Sequence, residues 1–507
     1  MEINDQIDAI ASRPALARWA AYLRLTGPGY LQSAMTLGGG SIASCVVLGS
    51  LLGYELLWVQ PLAIVLGYFI LAAIARQTCA TGERPYRVFW TRLHPSLAIL
   101  WGASALVATI VWHIPQYSLT ANGVVALAEG VGWNLDSMGG RAAIGAVALA
   151  AAASVVGLYH SGAGGLRRYE LTVKLLVWSI VVAFGAVALL TGIDWRRFLM
   201  GVSGASTIAR LASGGGFEAE AIKPVVGGLA AAVGINMVFL YPYSLLDKRY
   251  GPRHKELAYF DLLTGLVAPF FAATTLMILA VANTIGPAEG EVSGAVVRDI
   301  REIVPVLGPT FSRIVGGDDR IGDGLALLII GAGMIAVGFS TIITHMLAAG
   351  FIGCELFGAD REGRAKRRFS LLPAIGVIGV AIPFPWYAAI TASTLAAPLM
   401  PVTVVCFMVL LNRRSYMGEA TPRGFVKSFW NAMLILAVAV LSIAAYFGMK
   451  KNWEDLRGHL RPERQASSVI RPSKSMEQAY PNPGDRIEPS AIAPSAIRSA
   501  TVPARRS

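Results

Sequence analysis

Gly38, Gly39, Gly40 and Ser41 stand in the middle of an apolar run over residues 28–52. Each glycine weakens a helix by about 1 kcal/mol relative to alanine, so three in succession predict a helix interrupted at its centre. The freed amides of such a break suit an anion, the freed carbonyls a cation, and Ser41 adds a hydroxyl. A small-residue packing face in an intact helix is the other reading. A second candidate set is Val233, Gly234, Asn236 and Met237, followed by Pro242. Asn236 is an uncommon amide in so apolar a run, and Pro242 lacks the donor a helix needs. An ordinary proline kink, with the amide bonded to a neighbouring helix, accounts for the same residues. His113, beside Pro115 and Gln116, reads as an intramembrane proton or polar relay, or as a histidine bonded to a neighbouring helix. Ser340, Thr341, Thr344 and His345 share one helical face, where small hydroxyls serve packing more often than substrate.

The elements that must position these residues are membrane helices. The chain has 507 residues, 55% hydrophobic and 15% charged, with a mean hydropathy of +0.56. Soluble domains carry about a quarter charged residues, so this is a polytopic membrane protein. Apolar spans fall at about 28–52, 54–76, 95–128, 141–159, 168–192, 222–246, 257–285, 323–355, 369–385, 388–411 and 425–448, about eleven in all. The net charge of +12 does not indicate nucleic acid, because the cations sit in short turns between spans. Alternate turns carry Arg84, Arg87 and Arg92, then Arg167 and Arg168, then Lys248, Arg249, Arg253 and Lys255. Two later turns carry Arg361, Arg364, Lys366, Arg367 and Arg368, then Arg413, Arg414, Arg423 and Lys427. The positive-inside rule then places the N-terminus in the cytoplasm of an inner (cell) membrane. Residues 1–26 form a cytoplasmic arm in which Leu16, Trp19, Tyr22 and Leu23 suit a surface helix. Residues 451–507, rich in Pro, Ser, Arg and Ala, are expected to be disordered.

Many transporters are two inverted repeats, each opened by a discontinuous helix, with substrate between the breaks. Five spans on from Gly38 lies the sixth, the one holding Gly234. Repeat one therefore covers about 27–192, repeat two about 222–411, and 425–448 is an added helix. No carboxylate lies in the middle of any core span; Glu170, Asp247 and Asp261 fall near span ends, where pairing with loop cations is expected. Cys45, Cys79, Cys354 and Cys406 are scattered singly. With no P-loop, nucleophile elbow or zinc-spaced set, neither an enzyme nor a resident cofactor is indicated.

At these two helices the chain resembles the Nramp family of divalent-metal transporters. The resemblance rests on Gly27-Pro28-Gly29, Gly40-Ser41-Ile42-Ala43, Gly53-Tyr54-Glu55-Leu56-Leu57-Trp58 and Ala80-Thr81-Gly82. It continues through Leu240-Tyr241 with Ser244, Gly338-Phe339-Ser340-Thr341, Ala348-Ala349-Gly350, Met400-Pro401 and Tyr416-Met417-Gly418. It covers about residues 25–450 and implies the LeuT-like five-plus-five inverted repeat, all helical, with helices one and six discontinuous. The family's D-P-G-N metal motif falls on Gly38-Gly39-Gly40-Ser41, so both metal ligands are replaced. Its M-P-H motif falls on Asn236 and Val238 when anchored at Leu240, while anchoring at Gly234 brings Met237 near the site. The glutamine ligand of its tenth helix falls at Ser393, and the acidic pair of its third helix at His113 and Gln116. The resemblance implies metal-ion transport; the replaced ligands imply an uncharged central site holding a different ion or a small solute. A non-transporting membrane sensor with the same fold is the alternative of another class.

Overall fold

The computed structural model describes residues 10, 14–214, 225, 228–229, 232–286, 304–360, 363–381 and 398–460, the side chains of 306, 314–315 and 451–460 excepted. The chain divides into two units, Met1–Asn452 and Trp453–Ser507; all that follows lies in the first, apart from the last turns of the final helix. Among the described residues every element is helical.

The first half opens with α1 (Ala15–Leu25), α2 (Pro28–Thr36) and α3 (Gly39–Leu52), then α4 (Val59–Thr81), α5 (Pro95–Gly130), α6 (Met138–Tyr159) and α7 (Ala163–Thr191). Two short helices, α8 (Trp195–Val202) and α9 (Ala205–Ala212), lead towards the second half. There follow α10 (Ile235–Asp247), the rod α11 (Pro252–Ile285), α12 (Val304–Val315), α13 (Asp319–Leu356) and α14 (Arg364–Ser370). A 3-10 helix over Leu372–Val380, then α15 (Leu399–Leu411) and α16 (Gly424–Leu460), complete the order. Eight described segments are long and apolar enough to cross a bilayer, with α15 shorter. The protein is an integral, multi-pass membrane protein.

The centre is the antiparallel pair α5 and α13. Its helices approach so closely that a Cβ on Gly123 would lie 2.7 Å from the Gly331 carbonyl oxygen, and one on Gly331 equally close to that of Gly123. Small residues at such a contact let two membrane helices pack by their backbones. The pairing fixes Gln116 and His113 of α5 opposite Thr341 and His345 of α13.

The first apolar run is broken as its glycines predict, but only Leu37 and Gly38 leave the helix; Gly39 and Gly40 already belong to α3. In the second set Pro242 does not interrupt anything. It lies inside continuous α10, and the irregular backbone sits earlier, at Ala232–Gly234. In the span expected over 369–385, Leu372–Val380 is a 3-10 rod instead of an α-helix. Three residues per turn put Pro373, Gly376 and Gly379 on one face, and these are its buried residues together with Val380. That face lies on α5, where a Cβ at Gly379 would stand 2.1 Å from the Ile114 carbonyl oxygen. The period of three carries Leu372–Val380 along the His113 turn of α5. Ser393 and the segment 461–507 lie outside the described residues.

Candidate functional site

The chain leaves α2 at Thr36, whose last turn is closed by the Leu37 amide donating to the Ser33 carbonyl at 2.8 Å. Gly38 is extended, with φ −92° and ψ −177°, and the Ile42 amide donates to its carbonyl to start α3. Gly38 thus needs space and not a special dihedral. A Cβ there would lie 3.0 Å from Thr341 Oγ1 and 3.4 Å from Gln116 Nε2. Backbone groups freed in hydrocarbon must be met by protein or water, and here side chains meet them. The Ser41 hydroxyl donates back to the Thr36 carbonyl at 2.5 Å. Thr341 Oγ1 donates to the Ala34 carbonyl at 3.0 Å. The Gly39 amide donates to Gln116 Oε1 at 3.0 Å.

The second irregular stretch abuts the first. Thr36 Oγ1 donates to the Ala232 carbonyl at 2.7 Å. Gly234 is extended, α10 begins at Ile235, and the Gly234 amide donates to Met237 Sδ at 3.3 Å. The Met237 amide in turn donates to Asn236 Oδ1 at 3.0 Å. Asn236 Nδ2 has no partner although the residue is fully buried. Val233 turns towards α4, where a Cβ on Gly67 would stand 2.2 Å from its Cγ2. The structure therefore brings together Gly38, Gly39, Ser41, Gln116, Thr341 and the turn at Ala232–Gly234. Asn236 and Met237 stand in the first turn beyond.

His113 lies one turn from Gln116 and is fully buried. Its ring centre is 5.7 Å from that of His345 and 5.2 Å from that of Tyr117. Trp112 stacks on His345 at 6.4 Å, and its far ring edge would be 2.8 Å from a Cβ on Gly234. Neither nitrogen of His113, nor His345 Nδ1, Tyr117 Oη or Trp112 Nε1, has a hydrogen-bond partner. Among the described residues no three His, Cys, Asp or Glu side chains converge as a metal site.

The carboxylates near the span ends serve elsewhere. Glu170 accepts from Lys248 Nζ at 2.9 Å, and Asp247 from Lys366 Nζ at 3.3 Å, as loop pairing predicts. Asp261 does something sequence reasoning missed. Its two oxygens accept from the amides of Gly27 at 3.0 Å and Gly29 at 2.7 Å, capping the N-terminus of α2. The one available sign was a carboxylate on an otherwise apolar stretch of α11. His160, between α6 and α7, is held down at about 4 by burial first and then by the charges of Lys366 and Arg367.

Two interrupted helices abutting inside a polytopic bundle define the inverted-repeat transporter class. The chain belongs to the natural resistance-associated macrophage protein-like (Nramp) family, whose profile matches residues 29–448. It is 24% identical over 450 residues to the divalent metal cation transporter MntH of Acidiphilium cryptum, covering 87% of this chain and 95% of that one. MntH of Chromohalobacter salexigens is 24% identical over 435 residues, covering 83% and 92%. A mutant of the manganese transporter of Eremococcus coleocola shares the fold, with a TM-score of 0.64 at 15% identity over 89% of this chain and 90% of that one.

Proposed function

We propose that this chain is a secondary transporter working by alternating access, with cargo held by uncharged groups where its two interrupted helices meet. One observation carries the reading. Every polar side chain described at that meeting point is neutral: Gln116, Ser41, Thr36, Thr341 and Asn236. The relatives' names make a metal ion the natural cargo. A hard dication leaving water nevertheless needs carboxylates or many oxygens to replace its hydration. Here the hydroxyls and the Gln116 carbonyl are spent on backbone groups. The cargo is accordingly an ion or solute that binds without carboxylates, not Mn²⁺ at micromolar concentration. The N-terminus lies on the cytoplasmic side of the inner membrane, a placement supported by the cationic turns, and the protein performs no covalent chemistry.

Uptake into proteoliposomes tests this with a panel of Mn²⁺, Mg²⁺, soft monovalent cations, amino acids and small organic acids. Saturable uptake of a member other than Mn²⁺, without saturable Mn²⁺ uptake in the micromolar range, is expected. Micromolar Mn²⁺ uptake would overturn the uncharged-site reading, and no uptake of any member would favour a non-transporting sensor.

A further inference from the structure

The geometry points to His113 and His345 as a two-imidazole site for a soft monovalent metal cation of the Cu(I) class. This rests on the reading of the chain as a transporter without a carboxylate at its centre, and it names the cargo. The two histidines face each other from α5 and α13, both buried, with ring centres 5.7 Å apart. Three of their ring nitrogens (both of His113 and Nδ1 of His345) have no partner. Buried polar atoms are nearly always paired, so a cluster that is not asks what would satisfy it.

Distance answers first. Metal–imidazole bonds are about 2.0 Å. Two of them, with the two ring half-widths, span about 6 Å in a straight line and slightly less when bent. The observed separation fits one ion between the rings. Charge answers next. The cost of burying an ion grows with the square of its charge, and no carboxylate stands by to offset it. A monovalent ion is therefore favoured over a divalent one, and of the metals that imidazole suits (Zn, Cu, Fe and Ni) copper is the one with an accessible monovalent state. The face of Trp112, stacked on His345, adds an electron-rich surface of the kind cations approach.

Place answers last. Gln116, one turn from His113, binds the Gly39 amide at the first break, and Thr341, one turn from His345, binds the Ala34 carbonyl beside it. Trp112 touches the second break at Gly234. An ion between the imidazoles would thus sit one helical turn from both interrupted helices, where their relative movement would be felt. The small residues that press α5 on α13 hold the two rings at this spacing.

The test uses the full chain purified in detergent, with Ag(I) as a redox-inert probe and Cu(I) kept reduced by ascorbate. One ion per chain is expected, with an X-ray absorption spectrum showing two nitrogen neighbours. His113→Gln and His345→Gln should each weaken binding at least 100-fold. The rivals are the four free buried cysteines, Cys45, Cys79, Cys354 and Cys406. A sulfur shell at about 2.3 Å, or binding indifferent to both substitutions, would overturn the site. Should the variants fail to fold, ¹⁵N-histidine spectra of the unaltered chain decide: Ag(I) must shift two of its six imidazoles, and shifting none sinks the proposal. Failure to bind Ag(I) or Cu(I), alongside uptake of another solute in the liposome panel, removes this site and leaves the transporter reading standing. Micromolar Mn²⁺ uptake in that panel removes the uncharged-site reading, and no uptake of any member removes the transporter reading itself.

Discussion

Gly38 shows how one side chain's absence decides a site. Its dihedrals are open to any residue, yet Thr341 and Gln116 occupy the space where a longer side chain would go. Gly38→Asp together with Ser41→Asn would return a carboxylate and an amide to the break. A carboxylate about 4 Å from a dication contributes on the order of 8 kcal/mol at an effective dielectric of 20, before desolvation is subtracted. Even a small remainder predicts at least a tenfold gain in Mn²⁺ affinity, measurable by equilibrium dialysis; no gain would mean the carboxylate cannot reach the ion. His160 offers a pH prediction. Burial, then Lys366 and Arg367, hold its folded pKa at about 4, below the ordinary value of about 6.5. The folded state binds the proton less well, so stability is full above about pH 6.5 and falls as pH drops towards 4. His160→Gln should flatten part of that loss in thermal unfolding measured between pH 7 and 4. An unchanged acid limb would remove His160 from the account.

At the scale of elements, α2 is a nine-residue helix too short to be stable alone, and it is held at both ends. Asp261 caps its N-terminus, Thr341 of α13 binds the Ala34 carbonyl in its last turn, and Ser41 of α3 binds the Thr36 carbonyl. Asp261→Ala leaves two buried amides unpaired, so a loss of about 2 kcal/mol is expected. It should appear as a lower unfolding temperature and as faster hydrogen exchange confined to residues 27–36. Exchange unchanged in α2 would show that the cap does not hold it. This is also the scale at which the sequence was most and least legible. The glycine triplet announced the first break because its cause is local. Pro242 misled because a membrane helix can absorb a proline when neighbours satisfy the freed carbonyl. The turn before Gly234 carries no comparable mark. Asp261 looked like a loop partner because the amides it caps lie 232 positions away. The pairing of His113 with His345 is likewise a product of packing, invisible until α5 meets α13.

Across the whole molecule the charged turns gather at two ends. Arg84 meets Glu355, Arg92 meets the Ser415 carbonyl, and Lys366 meets Asp247, joining the turns expected to be cytoplasmic. At the other end Arg210 of α9 grips Glu55 with two bonds of 2.6 and 2.8 Å, closing the turn between α3 and α4. Single cysteines placed at Arg367 and at Arg210 in a chain lacking its native cysteines should react from opposite sides with a membrane-impermeant reagent. Arg367 should be reached only from the cytoplasm, and labelling of both from one side would contradict the orientation. The central claim is that two interrupted helices meet at a point without fixed negative charge. Calorimetric titration of the purified protein with Mn²⁺ tests it most directly. The account predicts no saturable heat below millimolar Mn²⁺, whereas stoichiometric binding in the micromolar range would contradict it.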